Sequence, residues 1–298
     1  MTMPSGKDTS VHDQLPFEGL VVTATPIGNL GDLTPRAEAA LRSADIIACE
    51  DTRHTGKLLS RLGIKTKMIP YHDHSGDHVL RGIISALKEG RVIVLVSDAG
   101  TPLISDPGYQ LVAACRDEGI KVTSLPGASA LLTALSASGL PTDQFHFAGF
   151  LPQSGKKKRE MLQDLMPVPG TLVFYESPKR HLATLEIMTT LYPDRDCVIA
   201  RELTKLHETY YKGSVRSLFD ELKDHELKGE LVLMLGPMKI NQTYDDDQIV
   251  SALHEALASG HSHKDSIAHV TAISGRAKKD VYRIALQLKD TDRTKASP

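Results

Sequence analysis

The run Arg91-Val-Ile-Val-Leu-Val96 passes directly into Ser97-Asp-Ala-Gly-Thr-Pro-Leu-Ile-Ser-Asp-Pro-Gly108. A short β-branched segment without polar alternation is a strand buried on both faces, which requires a parallel sheet covered by helices. The residues that follow include two Gly, two Pro and two Asp, so they form neither helix interior nor strand ladder. They make an ordered loop at the carboxyl end of a strand, where open α/β sheets take their ligands. Two readings are open here. In one, the small residues bring backbone groups close to a ligand and Asp98 accepts from a donor on it. In the other, the loop is a tight strand-to-helix turn with no ligand. Asp106-Pro107 reads as an N-cap and first helical residue, opening a helix from Gly108 to Glu118.

The same grammar repeats through the first half of the chain. Gly19 to Ala24 reads as a strand entering the loop Thr25-Pro-Ile-Gly-Asn-Leu-Gly-Asp32, and Thr34-Pro35 opens a helix to about Ser43. Ile46-Ile-Ala-Cys49 is the next strand, ending in Glu50-Asp-Thr-Arg53; a helix from His54 to Leu62, a strand at Lys67 to Pro70 and a helix at Gly76 to Lys88 follow. After the central loop and its helix come the strand Lys121 to Ser124 and Leu125-Pro-Gly-Ala-Ser-Ala130, which opens a helix to about Ser138. Strands alternating with helices of this length predict an α/β domain with a parallel sheet over residues 17–138, after a disordered leader at 1–16.

A second α/β domain is expected over 139–238. It contains strands at Phe145 to Phe147, Thr171 to Tyr175, Asp196 to Ala200, Glu208 to Lys212 and Glu230 to Leu235. The alternation in Thr209-Tyr-Tyr-Lys-Gly is that of an antiparallel strand, so this sheet should be mixed. Asn241 to Gln248 suits a linker, and apolar residues from Ile249 to Ala258 recur at helical spacing. Lys264 to Leu286 reads as two helices about a Ser-Gly turn, giving a helix-turn-helix-like domain at 243–289 with a disordered tail after Leu288.

Composition narrows the function. The chain has 298 residues and a net charge of −2, so no global basic field marks a nucleic-acid partner, and any such contact must come from a local patch. Two patches qualify: Lys156-Lys-Lys-Arg159 (Lys157 and Lys158 included), and Arg276, Lys278, Lys279 and Arg283 on or near the last helix. Most runs like the first are solvated helix faces, and helix pairs about a Gly turn are common in proteins that touch no nucleic acid. Cys49, Cys115 and Cys197 are widely spaced within or beside apolar runs, consistent with reduced core residues of a cytoplasmic protein. The N-terminus lacks the apolar core of a signal peptide, and no apolar run reaches the roughly eighteen residues of a membrane span. His72, His74 and His78 sit on a loop without an evident fourth ligand, so no metal site is assigned. The first strand is not followed by a Gly-x-Gly-x-x-Gly fingerprint, which disfavours a dinucleotide site. What recurs is small residues at strand ends, from two units whose loops would face across a cleft sized for a folded nucleoside. Glu50 and Glu176, also at strand ends, are candidate bases or helix caps.

Thr25 to Asp32, Glu50-Asp-Thr-Arg53, Ser97 to Gly108, Leu125-Pro-Gly-Ala-Ser129, Gly149-Phe-Leu-Pro152, Glu176-Ser-Pro178 with Arg180, and Ala200-Arg-Glu-Leu-Thr-Lys205 together resemble the bacterial ribosomal small subunit methyltransferase I family of the tetrapyrrole methylase superfamily. The resemblance covers about residues 18 to 238, and the terminal helix pair resembles the family's extra domain. It implies two α/β domains with S-adenosylmethionine in the cleft between them, usually a homodimer, and 2′-O-methylation of a cytidine ribose in 16S ribosomal RNA of the small subunit. The implied cofactor contacts are Pro26, Asp98, Ala99, Gly100, Thr101, Ile104, Ser129, Ala130, Tyr175, Ala200 and Gly236. Alternatives at this stage are a methyltransferase acting on a tetrapyrrole, which the basic terminal helices disfavour, and a helix-turn-helix regulator that transfers no methyl group.

Overall fold

The computed structural model describes residues 17–72, 75–238, 244–258, 260 and 262–295. The expected leader and two residues of the histidine loop, Asp73 and His74, lie outside them. The chain divides into two compact units, Met1–Pro237 and Met238–Pro298.

In the first unit, β1 (Leu20–Thr23), β2 (Ile46–Cys49), β3 (Lys67–Pro70), β4 (Ile93–Val96) and β5 (Val122–Leu125) form a parallel sheet in the order β3-β2-β4-β1-β5. Alternate residues serve opposite faces, as the pleat demands. Leu20, Val22, Ile46, Ala48, Ile93 and Leu95 pack with α3 (Asp77–Lys88) and α4 (Tyr109–Asp117); Val21, Ile47, Cys49, Val94 and Val96 pack with α1 (Pro35–Ser43) and α2 (Thr52–Leu62). The neighbours β1 and β4 therefore send their helices to opposite faces. Such a switch point opens a crevice at the carboxyl ends of the two strands.

The second sheet is mixed, in the order β6-β7-β10-β8-β9, from β6 (Phe145–Phe150), β7 (Thr171–Glu176), β8 (Asp196–Arg201), β9 (Thr209–Ser214) and β10 (Leu231–Leu235). The pair β6 and β7 is parallel, whereas β10 is antiparallel to both β7 and β8, and β9 is antiparallel to β8. One face, with Leu172, Phe174, Cys197, Ile199 and Leu233, is covered by α6 (Gly155–Asp164), α7 (His181–Leu191) and α8 (Val215–Leu222). The other, with Val173, Val198, Ala200, Val232 and Met234, packs on α5 (Ala130–Ala137) and on Ile27. That shared core brings the loops of the first sheet against the second.

Local chemistry sets the helix starts. The Thr34 hydroxyl accepts from the Ala37 amide (3.2 Å), as the sequence predicts, and the Asp51 carboxylate accepts from the Arg53 amide (2.7 Å), so that α2 starts at Thr52 rather than His54. The expected cap at Asp106 is not formed: α4 begins at Tyr109 behind Gly108, whose φ of 134° turns the chain so that Asp106 faces a cavity instead. The three cysteine side chains are fully buried, and burial pushes the Cys115 and Cys197 thiols up to about 11 and about 12.

In the second unit, α9 (Asp246–Ala258), α10 (His263–Ser274) and α11 (Lys278–Lys295) surround Ile249, Leu253, Val270, Val281 and Ile284. Asp245 and Gln248 bond each other's amides reciprocally, so α9 starts at Asp246 rather than Ile249. Gly275, at φ 65°, ends α10. The tail expected to be disordered after Leu288 is instead a continuation of α11 to Lys295. Among the described residues no helix is long and apolar enough to cross a membrane, and no group of His, Cys, Asp or Glu is arranged to hold a metal ion.

Candidate active site

The crevice is built by three loops fastened to one another. Thr25, after β1, and Gly100, after β4, exchange both backbone hydrogen bonds at 2.9 Å. The Thr101 hydroxyl donates to the carbonyl of Ala128, after β5, at 3.0 Å. Close approach requires the glycines: a Cβ on Gly100, at φ 80°, would sit 3.3 Å from Ile27 Cγ2, and one on Gly127 would sit 2.7 Å from Ala24 Cβ. Leu103 (φ 73°) and Ser105 (φ 66°) also adopt left-handed backbone, which costs a side-chain-bearing residue of order 1 kcal/mol. The second sheet answers with another such loop, in which Glu202 (φ 53°) and Thr204 (φ 62°) do the same.

Two cavities meet at this point. One, of about 340 Å³, is lined by Asp98, Ala99, Gly100, Thr101, Ile104, Asp106, Ser129, Ala130 and Tyr175, and on the side of the second sheet by Phe150, Glu176 and Gly229 to Val232. The other, of about 330 Å³, is lined by Thr25, Pro26, Ile27 and Gly28, by one face of α2, and by Lys205. They share Ile27, Asp98, Ala99 and Glu230. Most of the residues singled out as cofactor contacts thus surround one cavity, with Pro26 in its neighbour. Ala200 does not reach either lining; it is fully buried behind the wall, in the cluster that includes Ile27 and Val232.

Gly236 requires correction. Because β10 is antiparallel to β7 and β8, its first residue, Leu231, lies beside Glu176 and Arg201 at the cleft, whereas its last, Leu235, lies beside Leu172 and Cys197 at the far edge. Gly236 is fastened there, its amide donating to the Asp196 carbonyl (2.8 Å) and its carbonyl accepting from Arg195 Nε (2.5 Å). The residues that face the cavity are Gly229 to Val232, which sequence reasoning missed. The signal was present in the alternation that marked the sheet as mixed.

Glu176 is not a free base. Its Oε1 accepts from the Ser177 amide (2.8 Å) and Arg180 Nε (2.7 Å), and its Oε2 accepts from the Thr184 hydroxyl (2.6 Å), which in turn accepts from Lys158 Nζ (2.6 Å). With a fully buried side chain, its lone pairs are committed to a network that fixes the turn after β7. Lys158 is correspondingly withdrawn from the basic run. Its ammonium lies 3.6 Å from Glu176 and burial lowers its pKa, so it holds no outside phosphate. Arg159 donates to Thr190 (2.8 Å), leaving Lys156 and Lys157 exposed on α6. In the helical unit Arg276 is a staple, donating to the Tyr244 carbonyl (2.9 Å) and to Asp246 (3.0 Å), whereas Lys278, Lys279 and Arg283 are exposed.

Glu50 lines neither cavity but contributes to a cluster of carboxylates beside them. Burial and the nearby Asp98 push its pKa up. Burial also raises Asp106 to about 6, opposed by a hydrogen bond with Ser97 and reinforced by Glu50 and Asp98. Asp98 itself is oriented by the Asp51 amide (3.1 Å). This rim is therefore rich in negative charge, and complements a cationic ligand.

Residues 19–218 match the family described as Tetrapyrrole (Corrin/Porphyrin) Methylases. Proteins named ribosomal RNA small subunit methyltransferase I align along nearly the whole chain. The one from Synechocystis is 40% identical over 90% of this chain and 98% of its own length. Its counterpart from Escherichia coli is 44% identical over 90% and 94%. The chain belongs to the ribosomal RNA small subunit methyltransferase I family. Solved structures extend the likeness of fold beyond this family: diphthine synthase (TM-score 0.57, 15% identity, 73% of this chain and 89% of that one) and the methyltransferase CobJ (TM-score 0.55, 21% identity, 74% and 94%) share the arrangement of the two sheets. The helical unit α9 to α11 lies after residues 19–218, the part that the tetrapyrrole methylase family model matches.

Proposed function

We propose that the chain transfers the methyl group of S-adenosylmethionine to the 2′-hydroxyl of a cytidine ribose in 16S ribosomal RNA, within the small ribosomal subunit, and that it works as a cytoplasmic homodimer. The observation that carries this reading is the cavity of about 340 Å³ walled by strand-end loops from both sheets, in a chain of this family. Its size suits a folded nucleoside. Ile27, Ile104, Ala130 and Val232 offer apolar wall to a flat ring, no bulky side chain intrudes at Ala99 or Gly100, and Asp98 and Asp106 match a ligand that carries positive charge.

The cofactor supplies, when bound, an electrophilic methyl group on a positively charged sulfur. Transfer from sulfur to oxygen is in line, so the chain's main task is to hold two reactants in one orientation. The fastened loops do so without having to be ordered at the moment of binding. Asp98, lining both cavities and held by the Asp51 amide, is the carboxylate placed to accept a hydrogen bond at their junction. Glu176 acts by positioning, since it fixes Ser177 and the wall beside Tyr175.

Incubation of the chain with tritiated S-adenosylmethionine and unmodified small subunits, followed by mapping of the label, is expected to find it on one cytidine ribose. With uroporphyrinogen as acceptor no label should transfer. Label on the tetrapyrrole, or none on the subunits, overturns the reading.

A further inference from the structure

The second cavity contains charge that the fold leaves unused. Helix α2 turns His54, Lys57, Leu58 and Arg61 toward it, at the i, i+3, i+4 and i+7 spacing of one helical face. The side chains of His54, Lys57 and Arg61 are exposed. Among the described residues neither Lys57 nor Arg61 has a carboxylate partner. Nearby Arg53 and Lys205, by contrast, are paired, Arg53 with Asp51 at 2.7 Å and Lys205 with Glu202 at 2.9 Å and Glu230 at 3.0 Å. Lys205 is also held against the opposite wall, because Gly28 lacks the Cβ that would meet the Lys205 stem at 2.5 Å. Two unpaired cations therefore face a concave space of about 330 Å³, on the far side of Asp98 and Ala99 from the first cavity. A cation kept unpaired in a cleft is placed for an anion from outside the chain.

We infer that this cavity is the acceptor-nucleotide subsite, and that Lys57 and Arg61 bind the phosphodiesters flanking the ribose that receives the methyl group. The inference rests on the methyltransferase reading above. A phosphate gripped on the α2 side sets the attached sugar at the Asp98 junction. Guanidinium and ammonium bind phosphate by charge and hydrogen bonds without reading a base, so the contact positions the acceptor rather than selecting its sequence.

The test compares wild type, Lys57→Ala/Arg61→Ala and the charge-preserving Lys57→Arg/Arg61→Lys, with unmodified small subunits as acceptor. Thermal melting should be unaltered in both variants, because these side chains are exposed and unpaired. For the double alanine variant KM for subunits should rise about tenfold, while kcat and the calorimetric affinity for S-adenosylmethionine hold. The slope of log affinity against log salt should fall by about 1.5, as expected for two lost phosphate contacts. The charge-preserving variant should recover most of the KM. An unchanged KM and salt slope in a variant whose wild type methylates subunits would overturn the subsite and leave the methyltransferase reading intact. An equal loss of cofactor affinity would also overturn it, by giving the cavity to the cofactor. If wild type labels no subunit RNA, both fall together.

Discussion

Asp106 faces the cavity with a carboxyl that burial and two neighbouring carboxylates hold back from ionising until about pH 6. Its folded pKa lies above its unfolded value, so its contribution to stability is complete below about pH 4 and is lost as pH rises through 6. Asp106→Asn should therefore stabilise the chain at pH 7, by about 1 kcal/mol once partial exposure is allowed for, and should leave stability at pH 4 unchanged; denaturant melts at both pH values check this. A cationic ligand favours the carboxylate form, so affinity for S-adenosylmethionine should weaken as pH falls through 6 in wild type and not in the variant, as read by calorimetry. Glu176→Gln has the opposite character. It removes the charge that offsets buried Lys158, and breaking a buried pair from one side costs about 3 kcal/mol. A lower melting temperature, with cofactor affinity nearly preserved in the folded fraction, is the expected result. The sequence reads Asp106 as a helix cap and Glu176 as a base or a cap, whereas the structure turns Asp106 to the cavity and Glu176 into a buried network, because capping and charge pairing depend on which way a turn faces, and that is decided by Gly108 in one case and Thr184 in the other.

The elements explain which parts of the site could be read in advance. Each strand of the first sheet is short and parallel, so each carboxyl end points to the same edge, and the loops at Thr25, Asp98 and Ser129 follow from the order of residues alone. In the second sheet direction matters as much as position. Nothing within Leu231 to Leu235 tells which end meets the cleft; pairing with β7 and β8 decides it, so the sequence points to Gly236 and the structure to Gly229. The basic run on α6 failed differently, since helical periodicity turns Lys158 inward while its neighbours stay in solvent. The loop after β4 is the element most sensitive to substitution. Gly100→Ala adds a Cβ at φ 80° against Ile27, and should weaken cofactor binding about tenfold, measured by calorimetry, with a loss of about 1 kcal/mol in stability.

On the scale of the whole molecule, the two units have separate cores, one shared by two sheets and one made by three helices. Removing residues 243–298 should accordingly leave S-adenosylmethionine affinity within twofold of the full chain. It should weaken binding to small subunits and lower its salt dependence, since Lys278, Lys279 and Arg283 leave with the helices. Equal affinity for subunits across a salt titration of both forms would take nucleic-acid contact away from that unit.

Leu103, Ser105, Glu202 and Thr204 are the described non-glycine residues with left-handed backbone, two in the loop after β4 and two in the loop after β8. Natural selection has tolerated discomfort there that glycine or asparagine would relieve. A laboratory selection for heat resistance alone should drift toward those two residues at the four positions, and its survivors, easier to fold, would hold their ligands in a looser grip.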